Sequence, residues 1–143
     1  MMLALLLAAL PIAVDTDIPG GNGIVQSVDE RKGVVQIAPD CRETGGEWFW
    51  WSFRVRNAER RNLKFVFPRP SHSGKMCVGS LGPSVSVDGG RSWNWLNAEG
   101  REDTDSFSYS FSRGMNDVRF AFAPPYTRRD WPFETERLAV SRE

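Results

Sequence analysis

The chain has 143 residues, 41% of them hydrophobic and 12% aromatic, with six tryptophans and nine phenylalanines. This composition provides the core of one domain and excludes an intrinsically disordered chain. Eighteen basic residues balance eighteen acidic ones, so the formal net charge is zero. That balance argues against a nucleic-acid-binding protein, because such proteins usually carry an excess of basic residues on one face.

The first fourteen residues form the apolar run MMLALLLAALPIAV, and Asp15 follows it directly. The run is too short to span a bilayer comfortably, but it has the length of a signal-peptide core. No basic residue precedes Arg31, so the usual basic start is missing, and an N-terminal strand or buried segment is the alternative. We predict a signal peptide over residues 1–18, outside the folded domain, and hence an exported protein (periplasmic or extracellular) with no stable membrane span.

Downstream of this run, short stretches of alternating apolar and polar residues recur between Gly, Pro, Asn and Asp, which is typical of antiparallel sandwiches and barrels. The predicted strands cover residues 24–28, 34–37, 48–55, 62–67, 84–87, 107–111 and 118–122. We predict an all-β, antiparallel two-sheet β-sandwich of about 8–9 strands over residues 19–133. A short tail or helix around residues 133–138 is expected to follow it.

Polar links between these runs are predicted to be hairpin loops at residues 29–33 and 113–116. Five basic residues lie close together in the sequence: Arg54, Arg56, Arg60, Arg61 and Lys64. We interpret them as the solvated face and turn of a further hairpin rather than as a binding patch, because surface charges commonly alternate with buried residues along strands.

The aromatic run before residue 56 has two faces. Alternation directs one set toward the core, namely Phe49, Trp51, Phe53 and Val55. Trp48 and Trp50 lie on the opposite face. They therefore need cover from a loop or from another domain, or they form an exposed patch.

The sequence offers no complete catalytic or metal-binding constellation. His72 is the only histidine and lies in a polar loop, whereas a zinc peptidase site needs two or three protein ligands and a Ser-His-Asp site needs a placed base. We therefore assign no catalytic residue and no metal ligand in this chain. Cys41 and Cys77 could form one disulfide in an exported protein, or they could serve as two buried thiols.

The most specific local pattern runs from Ser86 to Trp93 and resembles an Asp-box, a turn of the form Ser-x-Asp-x-Gly-x-Thr-Trp. The residues that match are Ser86, Asp88, Gly90, Ser92 (in place of Thr) and Trp93. The carboxylate can accept backbone N–H groups across the turn, and glycine permits a positive φ. Such a box is expected to stabilise a turn rather than to catalyse a reaction.

The order of the segments from about residue 46 to residue 131 resembles a known domain. The segments that carry the resemblance are residues 51–58, 63–67, 82–96, 107–111 and 118–127, ending in Pro-Pro-Tyr-Thr. The chain is similar here to the N-terminal β-sandwich domain of cytosolic-carboxypeptidase-like members of the M14 zinc metallocarboxypeptidase family. Residues 134–143 resemble the linker that leads to the peptidase domain, so the chain is expected to be a fragment.

The resemblance implies an accessory domain without catalytic residues, since the zinc ligands, the substrate-binding Arg and the general-base Glu of the family all lie downstream. The expected partner is the M14 catalytic domain in cis, and zinc is expected there rather than here. The expected interdomain surface comprises Pro125, Tyr126, Thr127 and Trp131, although the two aromatic residues could equally cap the domain's own core.

A second hypothesis is a stand-alone exported β-sandwich module that binds carbohydrate or peptide. Its platform would be Trp48, Trp50 and Trp95, because aromatic faces bind sugars and peptides well. An open, flat row of exposed tryptophans would favour it over the accessory domain.

Overall fold

A computed structural model describes residues 10–43, 50–68, 77–97, 103–128 and 130 of the chain. Nine β-strands are found in this part: β1 (Ala13–Asp15), β2 (Ile24–Asp29), β3 (Val34–Ala38), β4 (Ser52–Arg56), β5 (Asn62–Val66), β6 (Ser84–Ser86), β7 (Asn94–Trp95), β8 (Ser106–Ser110) and β9 (Asp117–Ala121). They form a five-stranded sheet in the order β1-β4-β9-β6-β7 and a four-stranded sheet in the order β2-β3-β5-β8. The predicted all-β sandwich of two sheets is confirmed.

Strand pairing is antiparallel with one exception. β2 and β3 form the predicted hairpin, with a register shift between Val25 and Ser27. β3 and β5 run parallel, with Val35 opposite Phe65. The four-stranded sheet is therefore mixed, because the chain leaves β3, contributes β4 to the other sheet and returns as β5.

The core lies between the sheets and is dominated by aromatic rings. Because side chains alternate along each strand, both sheets direct aromatic rings into the core. The fully buried rings are Trp51, Phe53 and Phe120 on the side of the five-stranded sheet, and Phe65 and Phe107 on the side of the four-stranded sheet. Their ring centroids lie 4.8 to 5.9 Å apart in the packed pairs, the range in which tilted and offset aromatic contacts are favourable. The predicted core positions of Trp51, Phe53 and Val55 are confirmed, and Phe49 lies outside the described residues.

Two of the predicted hairpins are wrong. β8 and β9 belong to different sheets, so residues 113–116 cross from one layer to the other. β4 and β5 are likewise in different sheets, and the basic residues between them follow a crossing connection with Asn57 and Arg60 at positive φ (60° and 59°). The strands on either side of each link present apolar side chains to the same core. Such a pattern is compatible with two strands that pack across the core as well as with two that pair within one sheet.

The sandwich begins earlier in the chain than predicted. β1 lies inside the segment predicted to be a signal peptide, and it pairs with β4 through Val14 opposite Val55. Ile12 is 7% exposed and belongs to the core. Residues 12–15 therefore pack as part of the domain, because the apolar residues there complete the edge of the five-stranded sheet. A leader in the preceding residues stays a prediction, and residues 1–9 lie outside the described part.

Candidate interdomain surface

The outer face of the five-stranded sheet carries a row of alternating charges. Phe53 and Val55 point into the core, so Arg54 and Arg56 point outward, as do Asp15 and Asp117 on the neighbouring strands. Arg54 contacts Asp15 at 2.9 Å and Asp117 at 3.8 Å. Arg119 contacts Asp117 at 3.0 Å. The row crosses β1, β4 and β9 and fixes their outward side chains in one network.

Asp15 is the acidic centre of this row. Burial alone would raise its pKa, but hydrogen bonds from Arg54 and the charges of Arg54 and Arg56 outweigh burial and lower the pKa below the ordinary value of 3.8. Arg54 is 17% exposed in its side chain and donates to Asp15 from both Nε and Nη2. The carboxylate form of Asp15 is therefore favoured by the fold.

The turn from Ser86 to Ser92 is held by one carboxylate. Asp88 accepts hydrogen bonds from the backbone N–H groups of Arg91 and Ser92 at 2.9 and 3.0 Å, and from the Ser92 hydroxyl at 2.6 Å. The Ser86 hydroxyl donates to Asp88 at 2.8 Å and accepts from the Gly90 N–H at 2.9 Å. The hydrogen bonds from Ser92, and then that from Ser86, hold the pKa of Asp88 far below its usual range.

Glycine is favoured in this turn by its backbone conformation, and Gly90 also lies close to an arginine side chain. Gly89 and Gly90 have φ values of 77° and 85°, a region that other residues rarely adopt. A Cβ at Gly90 would also lie 2.9 Å from Nη1 of Arg119. The turn therefore packs directly on an arginine of the charged row, which joins the two features into one surface.

Two irregular segments lie over the same face. The β1–β2 loop and the segment after β9 meet at Gly20 and Pro125, where a Cβ on Gly20 would lie 3.5 Å from Cβ of Pro125. Small outward residues lie in one cross-strand row on β4, β9 and β6, namely Ser52, Ala121 and Ser84, and all are fully buried. Their small size lets other segments approach the backbone of the sheet closely.

A small cavity, open to solvent, lies where these parts meet. Its lining residues are Pro19, Gly90, Trp93, Arg119 and Thr127. They come from the β1–β2 loop, from the turn around Asp88 with the residue that follows it (the Asp88 turn), from β9 and from the segment after β9. The cavity marks the point at which four separate stretches of the chain converge on the outer face of the sheet.

The residues predicted for an interdomain surface fall at this convergence. Tyr126 is 63% exposed. Thr127 lines the cavity, and its N–H and hydroxyl both donate to Asp130, at 2.6 and 3.0 Å. Pro125 contacts the β1–β2 loop, and Trp131 lies outside the described residues. The structure brings the three described residues together, and their role stays a prediction.

The two described tryptophans of the predicted binding platform, Trp50 and Trp95, do not lie side by side. Trp50 is half-buried, and its indole N–H donates to the carbonyl of Gly20 at 3.0 Å, so a loop covers it. Trp95 is 37% exposed on the edge strand β7. β9 and β6 lie between β4 and β7, which separates these two strands by about 14 Å at normal strand spacing. Trp48 lies outside the described residues.

The remaining residues considered in the sequence analysis are the two cysteines and the histidine. Cys77 is buried in the core, and its carbonyl accepts the indole N–H of Trp51 at 2.8 Å. Cys41 is half-buried, and a disulfide between the two stays a prediction. His72 lies outside the described residues, as do residues 134–143. The described segments contain no group of three or more His, Cys, Asp or Glu that could hold a metal ion. No helix in them is long and apolar enough to cross a membrane.

Sequence reasoning misses four members of this surface. The apolar start of the chain places Asp15 in the predicted leader, and no sequence pattern indicates a role for Pro19, Asp117 or Arg119. Arg119 could be found from the alternation of β9, which directs it away from the core. Its position beneath the Asp88 turn depends on the pairing of β6 with β9, and no local pattern indicates that pairing.

Comparison with known proteins identifies this fold. No family model and no curated protein matches the chain. Among solved structures, a metallo-carboxypeptidase from Pseudomonas aeruginosa, in complex with (2-guanidinoethylmercapto)succinic acid, matches with a TM-score of 0.67 and 22% identity, over 87% of this chain and 33% of its own. A metallo-carboxypeptidase from Burkholderia cenocepacia matches with a TM-score of 0.68 and 12% identity, over 84% of this chain and 31% of its own.

A third structure, assigned as a carboxypeptidase from Burkholderia mallei, matches with a TM-score of 0.68 and 15% identity, over 94% of this chain and 33% of its own. The chain therefore spans about a third of the length of the solved structures that it resembles. The fold expected from the sequence resemblance, that of the N-terminal β-sandwich domain of M14 carboxypeptidases, is confirmed.

Proposed function

We propose that this chain is the non-catalytic N-terminal accessory domain of an M14-type zinc carboxypeptidase, and that the sandwich packs on the peptidase domain and supports it. The observation that carries the proposal is the match in fold. It takes in 84 to 94% of this chain but only 31 to 33% of each carboxypeptidase. A domain that accounts for about a third of each larger enzyme is consistent with an accessory domain joined to a separate catalytic domain.

The chemistry of the described residues is that of a rigid support. Their charged side chains on the outer face are engaged in ion pairs, as Arg54 with Asp15 shows. The zinc ion of an M14 enzyme does not fit the described residues, which lack a cluster of ligand side chains. Under this proposal zinc binding and peptide hydrolysis belong to the peptidase domain, and no step of the reaction is assigned to this chain.

The gene tests the proposal first. Sequencing the genomic DNA beyond codon 143 is expected to show an in-frame continuation with a His-x-x-Glu motif and a later His, the ligand pattern of a carboxypeptidase zinc site. A stop codon directly after codon 143, with no peptidase gene beside it, would contradict the proposal.

The support role needs a second experiment on the full protein. Two forms would be expressed, the complete protein and a form that lacks residues 10–130. We expect the shortened form to yield less soluble protein and to unfold at a lower temperature, because the peptidase domain would lose the apolar area buried against the sandwich. Equal yield and equal melting temperature would contradict a supporting role, while leaving the domain assignment intact.

A further inference from the structure

Exposed aromatic side chains lie on the edge strand β7 and on the segment after β9. Tyr126 is 63% exposed and Trp95 is 37% exposed, while Trp93 is half-buried at the rim of the cavity. We define the Trp93–Tyr126 surface as Trp93, Trp95, Tyr126 and the adjoining Pro19 and Thr127. Large aromatic residues of this kind are enriched at the centres of protein interfaces.

The surface is continuous across separate parts of the chain. Trp95 lies opposite Ser84, which is an outward-facing residue of β6, so Trp95 also lies on the outer face of the five-stranded sheet. Trp93 lies two residues earlier and lines the cavity together with Thr127. Trp93, which precedes the edge strand β7, therefore adjoins Thr127 in the segment after β9, and Trp95 lies on the same outer face.

The Asp88 turn gives this surface a fixed shape. Ser92, the residue before Trp93, donates to Asp88 through both its N–H and its hydroxyl. The turn also rests on Arg119, which is held in turn by Asp117 at 3.0 Å. A preorganised aromatic surface binds a partner without first losing conformational freedom, which favours tight contact.

We infer that the peptidase domain docks on the Trp93–Tyr126 surface, with Trp93, Trp95 and Tyr126 at the centre of the contact; this inference rests on the proposed function. Two observations select this occupant. The fold occupies only about a third of each matched carboxypeptidase, so most of each of those proteins lies outside it. The described segment from Phe122 to Thr127 follows β9 directly and brings Thr127 beside Trp93.

In this arrangement the Asp88 turn has two roles. The turn stabilises the link between β6 and β7, and it also presents Trp93 and Trp95 to the neighbouring domain. It extends the predicted surface of Pro125, Tyr126 and Thr127 to a strand edge more than twenty-five residues earlier in the chain.

The test uses the full protein encoded by the gene and three single variants, Trp95→Ala, Tyr126→Ala and the matched control Ile24→Ala. Ile24 is 40% exposed and lies on β2, in the other sheet. The rate of cleavage by a dilute protease in the segment after residue 130 reports how often the domains separate. We expect cleavage at least tenfold faster for Trp95→Ala and Tyr126→Ala, and less than a twofold change for Ile24→Ala.

Equal cleavage rates in all three variants would overturn the inference. Tyr126→Ala keeps the test decisive if Trp95→Ala destabilises the sandwich, because Tyr126 lies outside the strands and is mostly exposed. Light scattering that shows a dimer through this surface, dissociated by Tyr126→Ala, would assign it to a second copy and overturn the inference. Quenching of tryptophan fluorescence by a glycan that is lost in Trp95→Ala would assign the surface to a carbohydrate and would also overturn the inference.

Failure of the inference and failure of the proposed function give different results. If the gene encodes no peptidase domain, the proposed function fails and the docking surface loses its occupant. If the gene encodes one and the three variants are cleaved alike, the proposed function stands and only the location of the contact is wrong.

Discussion

Removing residues 10–18 should destabilise the sandwich strongly, because this segment contains β1 and a core residue. The perturbation compares two shortened chains, one starting at Leu10 and one at Pro19, so that their difference reports on residues 10–18 alone. The shorter chain lacks Ile12, Val14 and Asp15, and therefore one edge of the five-stranded sheet.

The expected loss follows from what these residues contact. Ile12 is 7% exposed, and burying such a side chain stabilises a protein by about 1.5–3 kcal/mol. Its N–H donates to Glu30 at 2.9 Å. Arg54, only 17% exposed, would lose Asp15 and keep only its longer contact to Asp117, and the loss of hydrogen bonds to a partly buried charge costs about 1–3 kcal/mol. Together with the partial burial of Val14, the loss is about 3–5 kcal/mol, out of the roughly 5–15 kcal/mol typical of a domain.

The assay is thermal unfolding followed by tryptophan fluorescence, which reports on the fully buried Trp51 together with the other tryptophans. At about 3 °C per kcal/mol for a chain of this size, the melting temperature should fall by about 9–15 °C. A difference below about 1 kcal/mol between the two chains would refute the placement of β1 in the folded domain. In that case residues 1–18 would again qualify as a dispensable leader, as first predicted.

Three further substitutions test the core, the charged row and the turn. Phe120→Ala removes a ring that packs against five others and should lower the free energy of unfolding by about 3–5 kcal/mol, measured by guanidinium denaturation. Asp15→Asn should destabilise the protein near pH 7, and this effect should shrink as the pH falls below 3.8. Because the folded-state pKa of Asp15 lies below 3.8, its contribution is present above that value and is lost as the pH falls through the folded pKa. Asp88→Ala should lower the melting temperature, because two backbone N–H groups lose their acceptor.

Each of these substitutions has a result that would contradict the structure. Ile24→Ala is the control for Phe120→Ala and should change stability little, since Ile24 is 40% exposed; equal effects would argue against the aromatic core. A destabilisation by Asp15→Asn that stays constant from pH 7 to pH 2 would exclude the ion pair with Arg54. An unchanged melting temperature in Asp88→Ala would show that the turn does not depend on its carboxylate.

The sequence predicted the strands best where alternation was longest. In β8, serines alternate with Phe107 and Tyr109, and both rings face the core. β4, β5 and β9 follow the same rule. Burial of one face imposes a period of two on the sequence, so the strands and their inner faces can be recognised locally.

The sequence did not predict which strands would be neighbours. Alternation specifies which face of a strand is buried, but it does not distinguish pairing within a sheet from packing across the core. The link from Arg113 to Asn116 therefore looked like a hairpin loop, although it joins two sheets. The parallel pairing of β3 with β5 could not be predicted for the same reason.

For the outer surface too, local patterns could be predicted from the sequence, and contacts between strands could not. The turn around Asp88 is a local pattern, and its residues could be named from the sequence. The contact of Arg119 with that turn and the pairing of Asp15 with Arg54 each depend on strands brought together by the fold. The hydrophobic start of the chain was also ambiguous, because an edge strand with Ile12 and Val14 resembles the end of a leader in composition.

The most direct test of the central claim is the intact mass of the protein that carries this sequence in its native cells, measured after purification through an antibody against the sandwich. If the chain is the accessory domain of a carboxypeptidase, the mass should be about three times the 16.1 kDa of this chain, since the matched enzymes are about three times as long. A native protein of 16.1 kDa or slightly less would contradict that claim.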